Sequence, residues 1–356
     1  MNNDWRLNKK YYHLEDDLLG YPGAWCYIVW SRRGAGKTYS ALRYAYENNI
    51  KIVYMKRTND DVEMICKNAY GVDLSPYVPI NRDGGYNIKA KYIGKGIGAF
   101  YNTDEEGNPS GVPVSYIVSL NAMKSVKGFD LSLCDWLILD EFIPQKGEIV
   151  RRAEGDMLLD MYMTISRDRI QRGRDDLKLI LFANSENIST PITNALDIVD
   201  SMIDLQASNN SHLYIEDRGI LLHTLKDIEL TEDVKESGIY RAMINTDWGL
   251  KSFGGEFSSN DFSNVKNINL KNYSPVVAFK YKNKITYVYR KDEFLYFTDS
   301  RNDLCNVYDL NRETEQAKFY YDYALYFKNE CIEERCKFKK YTMYDIIMNY
   351  TKFFNV

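Results

Sequence analysis

The sequence predicts an α/β protein built on a parallel sheet, and three observations point there. A short apolar run, Ala24 to Trp30, feeds through a glycine-containing loop into the helical pattern of Lys37 to Glu47. A second apolar run, Ile50 to Met55, follows at the spacing of a βαβ unit and ends in Lys56-Arg57. The same kind of buried-strand run returns at Trp136 to Leu139 and at Leu177 to Ala183. Between them Met157, Leu158, Met161 and Ile165 keep helical spacing. The α/β core is expected to occupy residues 1–204.

The other elements follow in order. From about Pro76 to Leu120, short alternating pieces are broken by Asp83-Gly84-Gly85, by Gly94, Gly96 and Gly98, and by Glu106-Gly107-Asn108-Pro109, the pattern of a β-meander inserted into the core. Gly, Ser and Asn dominate Ser252 to Asn269, so 205–265 reads as a linker or small connecting subdomain. Residues 266–356 read as a smaller α+β domain. It holds a hairpin of Val276 to Tyr281 and Lys284 to Tyr289 joined at Lys282-Asn283, a strand at Glu293 to Phe297, and helical sequence from Glu313 onward.

With 356 residues, 45% hydrophobic and 27% charged, the chain is long enough for two domains and is not compositionally disordered. No apolar run reaches the roughly 20 residues of a membrane helix, and a cytoplasmic protein with no membrane partner is expected. The net charge of −4 means that nucleic acid, if bound, is held by local basic clusters. Six cysteines form no CxxC, and His13, His212 and His223 show no ligand spacing, so neither zinc nor disulfides are expected. The 30 tyrosines fit an AT-rich coding sequence as well as any binding role.

The chemistry lies in two motifs. Ser31-Arg32-Arg33-Gly34-Ala35-Gly36-Lys37-Thr38 sits between a strand and a helix, where a tight glycine loop turns backbone N–H groups inward to cradle phosphate. Lys37 is placed to reach the β- and γ-phosphates, and the Thr38 hydroxyl to ligate Mg2+. Ser31 occupies the position of the first glycine in GxxxxGK[ST]. Downstream, Trp136-Leu137-Ile138-Leu139 delivers Asp140 and Glu141 at the C-terminal edge of a buried strand, beside that loop. Asp140 is assigned to magnesium and Glu141 to polarising the attacking water, which favours ATP hydrolysis over phosphoryl transfer to a second substrate.

Secondary candidates carry alternatives. Arg167, Arg169, Arg172 and Arg174 form a basic run. Arg167 is the candidate arginine finger, while Arg172 and Arg174 read equally as solvated charge. Asn184, after the last core strand, is placed either to sense the γ-phosphate or to form a turn. Lys124 and Lys127 are either coupling residues or plain surface lysines.

Order and content of these motifs resemble the DNA-packaging ATPases of small phages of the phi29 type, distant relatives of the large terminases. Arg inside the phosphate loop and a missing first glycine look like habits of that group. Asp140-Glu141-Phe142 matches its Walker B ending, and Thr164 to Arg169 matches its Thr-x-x-Arg-x-Arg segment, which puts the trans-acting finger on Arg167. Lys56-Arg57 matches its basic pair after the second strand, which implies coupling or DNA contact, Lys127 its interfacial lysine, and Asn184 its post-strand Asn.

The resemblance implies an additional-strand (ASCE-type) P-loop ATPase core and a C-terminal domain with a reduced RNase H-like nuclease fold. It implies ATP and Mg2+ as cofactors and a homo-oligomeric ring, pentameric by family. The partners implied are double-stranded DNA, the portal or connector of a procapsid and, in some motors, a packaging RNA. Such a motor works in the cytoplasm of the infected bacterium, transiently at the portal vertex, translocating the viral genome into a preformed procapsid. Two rivals stand beside it: a complete terminase with active nuclease, and a nucleotide-gated assembly ATPase that does no translocation. The hairpin strands carry Lys280, Lys282, Lys284, Arg290 and Lys291 where a nuclease needs acid, and Asp292, Glu293 and Asp299 assemble into no evident two-metal cluster, so DNA cleavage is not expected.

Overall fold

A computed structural model of the chain describes residues 5–67, 72–145, 147–255, 257, 260–302 and 304–356. It divides into two compact units, one of residues up to 196 with 202–259, the other of 197–201 with 260–356.

The first unit holds a nine-stranded sheet in the order β3-β4-β5-β2-β6-β7-β1-β9-β8. Its centre is parallel: β5 (Pro109–Ser119), β2 (Ile52–Lys56), β6 (Trp136–Asp140), β7 (Lys178–Asn184), β1 (Cys26–Ser31) and β9 (Ile220–Thr224). Every residue of β1 and the run Leu179–Ala183 of β7 are buried, as central parallel strands covered on both faces must be. Tyr27, Val29, Tyr54, Ile138, Ile180, Phe182 and Leu221 form one face of that core with Leu42 and Ala45 of helix α2 (Lys37–Glu47).

The predicted meander is present as β3 (Ile88–Gly94), β4 (Ile97–Thr103) and β5, antiparallel to one another, and β5 joins the parallel core on β2. Its first residues differ from expectation: Val78–Gly84 is a helix, with proline in its first turn and Gly85 closing it in the left-handed region.

The core also extends beyond residue 204. Within the segment read as a linker, β8 (His212–Ile215) and β9 form a hairpin, and β9 pairs in parallel with the whole of Cys26–Trp30. The uniformly half-buried β8 gives no alternating signal, which is why its sequence passed for loop. Short helices follow at Glu232–Lys235, Gly238–Met243 and Asp247–Gly254, the last two capped by Ser237 and Thr246.

The second unit has a five-stranded sheet, β13-β10-β11-β12-β14, of β10 (Ser274–Tyr281), β11 (Lys284–Lys291), β12 (Phe294–Thr298), β13 (Val307–Asp309) and β14 (Cys336–Phe338). The predicted hairpin closes at Lys282-Asn283, with Tyr281 opposite Lys284 and Lys282 at a φ of 52°. Its core is aromatic, built on Phe279, Phe297, Phe319, Phe327, Phe338 and Phe354. Among the described residues no helix is long and apolar enough to cross a membrane.

Candidate nucleotide site

The site forms where β1, β2, β6 and β7 end together. Register makes this unavoidable: Ser31 lies opposite Asn184, Asp140 opposite Phe182, and Met55 opposite Leu139, so the C-terminal residues of four parallel strands share one edge. The loop from Ser31 to α2 turns back over that edge. Gly34 and Gly36 have φ of 75° and 83°, and a Cβ at Gly36 would also come within 3.2 Å of Tyr11 Cβ. A side chain at Gly36 would thus cost both strain and a clash.

Lys37, the first residue of α2, is buried beneath the loop. Its Nζ donates to Ser31 Oγ at 2.7 Å, the Arg32 carbonyl at 3.3 Å and Asn184 Oδ1 at 3.4 Å. Ser31 therefore has a use at the departed glycine position, holding the lysine head. Burial pushes the Lys37 ammonium down to about 8, against the pull of Asp140 and Glu141 and with Arg32 adding to the depression. A buried ammonium held only by neutral oxygens is a group suited to an anionic ligand.

Thr38 Oγ1 donates to Asp140 Oδ2 at 2.9 Å, which brings the two assigned magnesium ligands together. The Tyr54 hydroxyl donates to the same oxygen at 2.9 Å. Side chains alternate faces along a strand, so adjacent Asp140 and Glu141 would normally point apart. Glu141 instead takes a φ of 57°, and the Phe142 N–H bonds back to the Phe182 carbonyl at 3.0 Å. That turn brings both carboxylates to Lys56, whose Nζ lies 3.4 Å from Glu141 Oε2 and 4.0 Å from Asp140 Oδ2. Gln145 Nε2 donates to the other Glu141 oxygen at 3.4 Å.

Lys56 and Arg57, expected to serve coupling or DNA contact, belong to this site. Arg57 donates to the carbonyls of Glu141 and Phe142, each at 3.1 Å, and lies 3.6 Å from Glu154 and 3.7 Å from Glu148. It braces the turn that aims Glu141 and does not face outward. Arg32, one of the loop residues expected to bind the cofactor, uses its side chain to hold the loop. Its buried guanidinium donates to the Arg33, Ile228 and Glu229 carbonyls, the last at 2.6 Å, clamping the loop to residues 228–229. Arg33 and Gly34 are exposed, and they edge a cavity of about 530 Å³ that also touches Tyr11, Asn184, Trp248 and Lys251. A cavity of that size suits a nucleotide.

The basic run separates into different roles. Arg169 is buried and donates to the carbonyls of Ser132, Cys134 and Asp175 and to Asp135 Oδ1. Arg174 donates to the Ser132 and Leu133 carbonyls and to Asp135 and so braces a loop, whereas Arg172 is exposed charge that reaches Ser132 Oγ at 3.3 Å. Arg167 is 82% exposed and lies 4.0 Å from Asp168. Two residues on, Arg169 pairs with Asp135 just before β6, whereas Asp140 ends that strand. Lys127, after the short helix Met123–Val126, is exposed, and the Lys124 side chain lies outside the described residues.

Sequence reasoning missed Tyr54, Gln145 and Tyr11. Tyr54 sits two positions before Lys56 on an apolar strand and reads there as core, with nothing to mark its hydroxyl as a partner of Asp140.

The residues fit magnesium and a nucleoside triphosphate by three features: the two positive-φ glycines, the buried lysine head, and the threonine hydroxyl on an aspartate. No family model matches the sequence, and no curated protein matches it. Solved structures do. One described as the phi28 gp11 DNA packaging motor aligns over 98% of this chain and 99% of its own, at a TM-score of 0.59 and 17% identity. Another, described as the bacteriophage phi29 viral genome packaging motor assembly, aligns over 96% of this chain and 99% of its own, at 0.60 and 15%. The chain therefore has, over nearly its whole length, the fold of the phage DNA-packaging motor proteins.

Proposed function

We propose that this chain is an ATP-driven translocase that moves double-stranded DNA into a preformed phage procapsid. The observation that carries the reading is the convergence of Lys37, Thr38, Asp140 and Glu141 on one strand edge, in a chain whose fold matches packaging motors from end to end.

Bound magnesium-ATP would supply an electrophilic γ-phosphorus with its charge partly neutralised. Lys37, now on Ser31 Oγ and the Arg32 carbonyl, would hold the β- and γ-phosphate oxygens. Thr38 and Asp140, already in contact, would hold the ion, and Tyr54 fixes the Asp140 carboxylate. Glu141 orients the attacking water and accepts its proton. Lys56 occupies one Glu141 oxygen, so release of that pair, which frees the carboxylate for the water, is the step at which a signal from DNA can license hydrolysis. Asn184, reaching Lys37 from the neighbouring strand, reports whether the γ-phosphate is present. Arg167 acts on the nucleotide of the adjacent subunit in a homo-oligomeric ring, pentameric by family, seated on the portal in the infected host's cytoplasm, with a packaging RNA where the motor uses one.

The core is of the additional-strand P-loop class and the C-terminal unit a reduced RNase H-like domain that does not cleave DNA. In support of the latter, Asp299 is engaged by Lys339 and Lys340. ATP turnover, measured with and without duplex DNA and portal-bearing capsids, tests the reading. Manganese-dependent nicking would favour a complete terminase. Turnover indifferent to DNA would favour an assembly ATPase.

A further inference from the structure

Two of the three histidines, which no sequence spacing had joined, meet across the β8–β9 hairpin. His212 lies directly opposite His223, with ring centroids 3.7 Å apart. Helix α1 (Leu14–Gly20) brings Asp17 between them, almost fully buried: its Oδ1 is 3.1 Å from His212 Nε2 and its Oδ2 is 2.9 Å from His223 Nδ1. The Tyr12 hydroxyl donates to Oδ2 at 2.8 Å. Among the described residues this is the one group of His, Cys, Asp or Glu side chains whose ligand atoms all lie within 4.8 Å of one another.

We propose that Asp17, His212 and His223 form a structural site for a divalent transition metal, with zinc the best match. Tetrahedral zinc with ligands at about 2.0–2.1 Å separates its donor atoms by roughly 3.3 Å, and each imidazole already lies near that distance from one Asp17 oxygen, His212 from Oδ1 and His223 from Oδ2. Two imidazoles with one carboxylate suit zinc and not magnesium or calcium, which take oxygen. The His212 side chain is 34% exposed and leaves a solvent side for a water as fourth ligand. Tyr12, donating to the carboxylate, is the supporting contact such sites need.

The consequence is a staple behind the nucleotide loop. The Tyr12 backbone N–H donates to the Ala35 carbonyl at 2.9 Å, and the Leu14 N–H to Ser40 Oγ at 2.8 Å on α2. An ion on Asp17 would tie this N-terminal segment to the hairpin on β1. The inference stands apart from the nucleotide reading, since no residue of one site is used in the other.

The test uses the tag-free, chelator-stripped full chain, titrated with zinc against a chromophoric chelator and, separately, with cobalt. One zinc per chain and the visible bands of four-coordinate cobalt are expected. His223→Gln should lower zinc affinity at least about 100-fold and Tyr12→Phe about 10-fold, while Asp140→Asn should leave it unchanged. His212→Gln, at the more exposed ligand, serves if His223→Gln fails to fold. The proposal is overturned if micromolar zinc does not bind stoichiometrically, or if it binds with affinity within a few-fold in the histidine variants. Either result makes the cluster a hydrogen-bonded network without metal.

Discussion

Nucleotide binding should be accompanied by proton uptake at Lys37. In the ligand-free fold the ammonium is buried among neutral oxygens and held at about 8, against an ordinary 10.5. A folded value below the unfolded one means that the unfolded chain binds more protons between pH 8 and 10.5, so apo stability rises with pH across that window. The penalty at neutral pH is about 3 kcal/mol. Phosphate oxygens around Nζ restore the charged form. Uptake is then about 0.1 proton per nucleotide at pH 7, about half at pH 8 and about 0.9 at pH 9. Titration calorimetry in buffers of differing ionisation enthalpy measures this directly. Lys37→Arg, always charged, should bind with no such uptake. Equal uptake at pH 7 and 9, or the same uptake in Lys37→Arg, would refute the assignment of Lys37 as the desolvated phosphate ligand.

Glu141→Gln should keep ATP affinity within a few-fold while turnover falls by about 10²–10⁴, the range for loss of a positioned base, and single-turnover hydrolysis near the wild-type rate would remove Glu141 from that role. Arg167→Ala should be inactive in a uniform ring, by about 10³-fold or more, yet regain turnover when mixed with Glu141→Gln subunits, because each then supplies what its neighbour lacks. Mixtures no more active than either variant alone would mean that Arg167 does not act in trans.

The parallel core was legible because its strands are apolar without interruption and are punctuated by glycine loops: Ala24 to Trp30 and Leu177 to Ala183 each fell within a residue or two of β1 and β7. Lys37, Thr38, Asp140 and Glu141 were legible for the same reason, since loop and strand end carry their chemistry in consecutive residues. What escaped was everything set by pairing between distant segments. Strand β8 has no alternation to read, and so the hairpin that aligns His212 with His223 stayed hidden, and with it the approach of Asp17. Arg32 is expected with the cofactor-binding loop and Arg57 at a coupling or DNA-contact position, yet both donate to backbone carbonyls that only the tertiary fold brings near. The pairing of Arg169 with Asp135, just before β6, likewise joins segments 34 residues apart.

If ATP hydrolysis at the Lys37–Asp140–Glu141 site drives DNA movement, turnover and DNA uptake must depend on the same residues. Purified chain is mixed with portal-bearing capsids and duplex DNA, and ATP turnover is followed alongside protection of the DNA from added nuclease. Turnover stimulated by DNA and capsid together, with DNA protected by the wild-type chain and not by Glu141→Gln, is the predicted result. DNA protected equally by Glu141→Gln, or turnover unchanged by DNA and capsid, would contradict it.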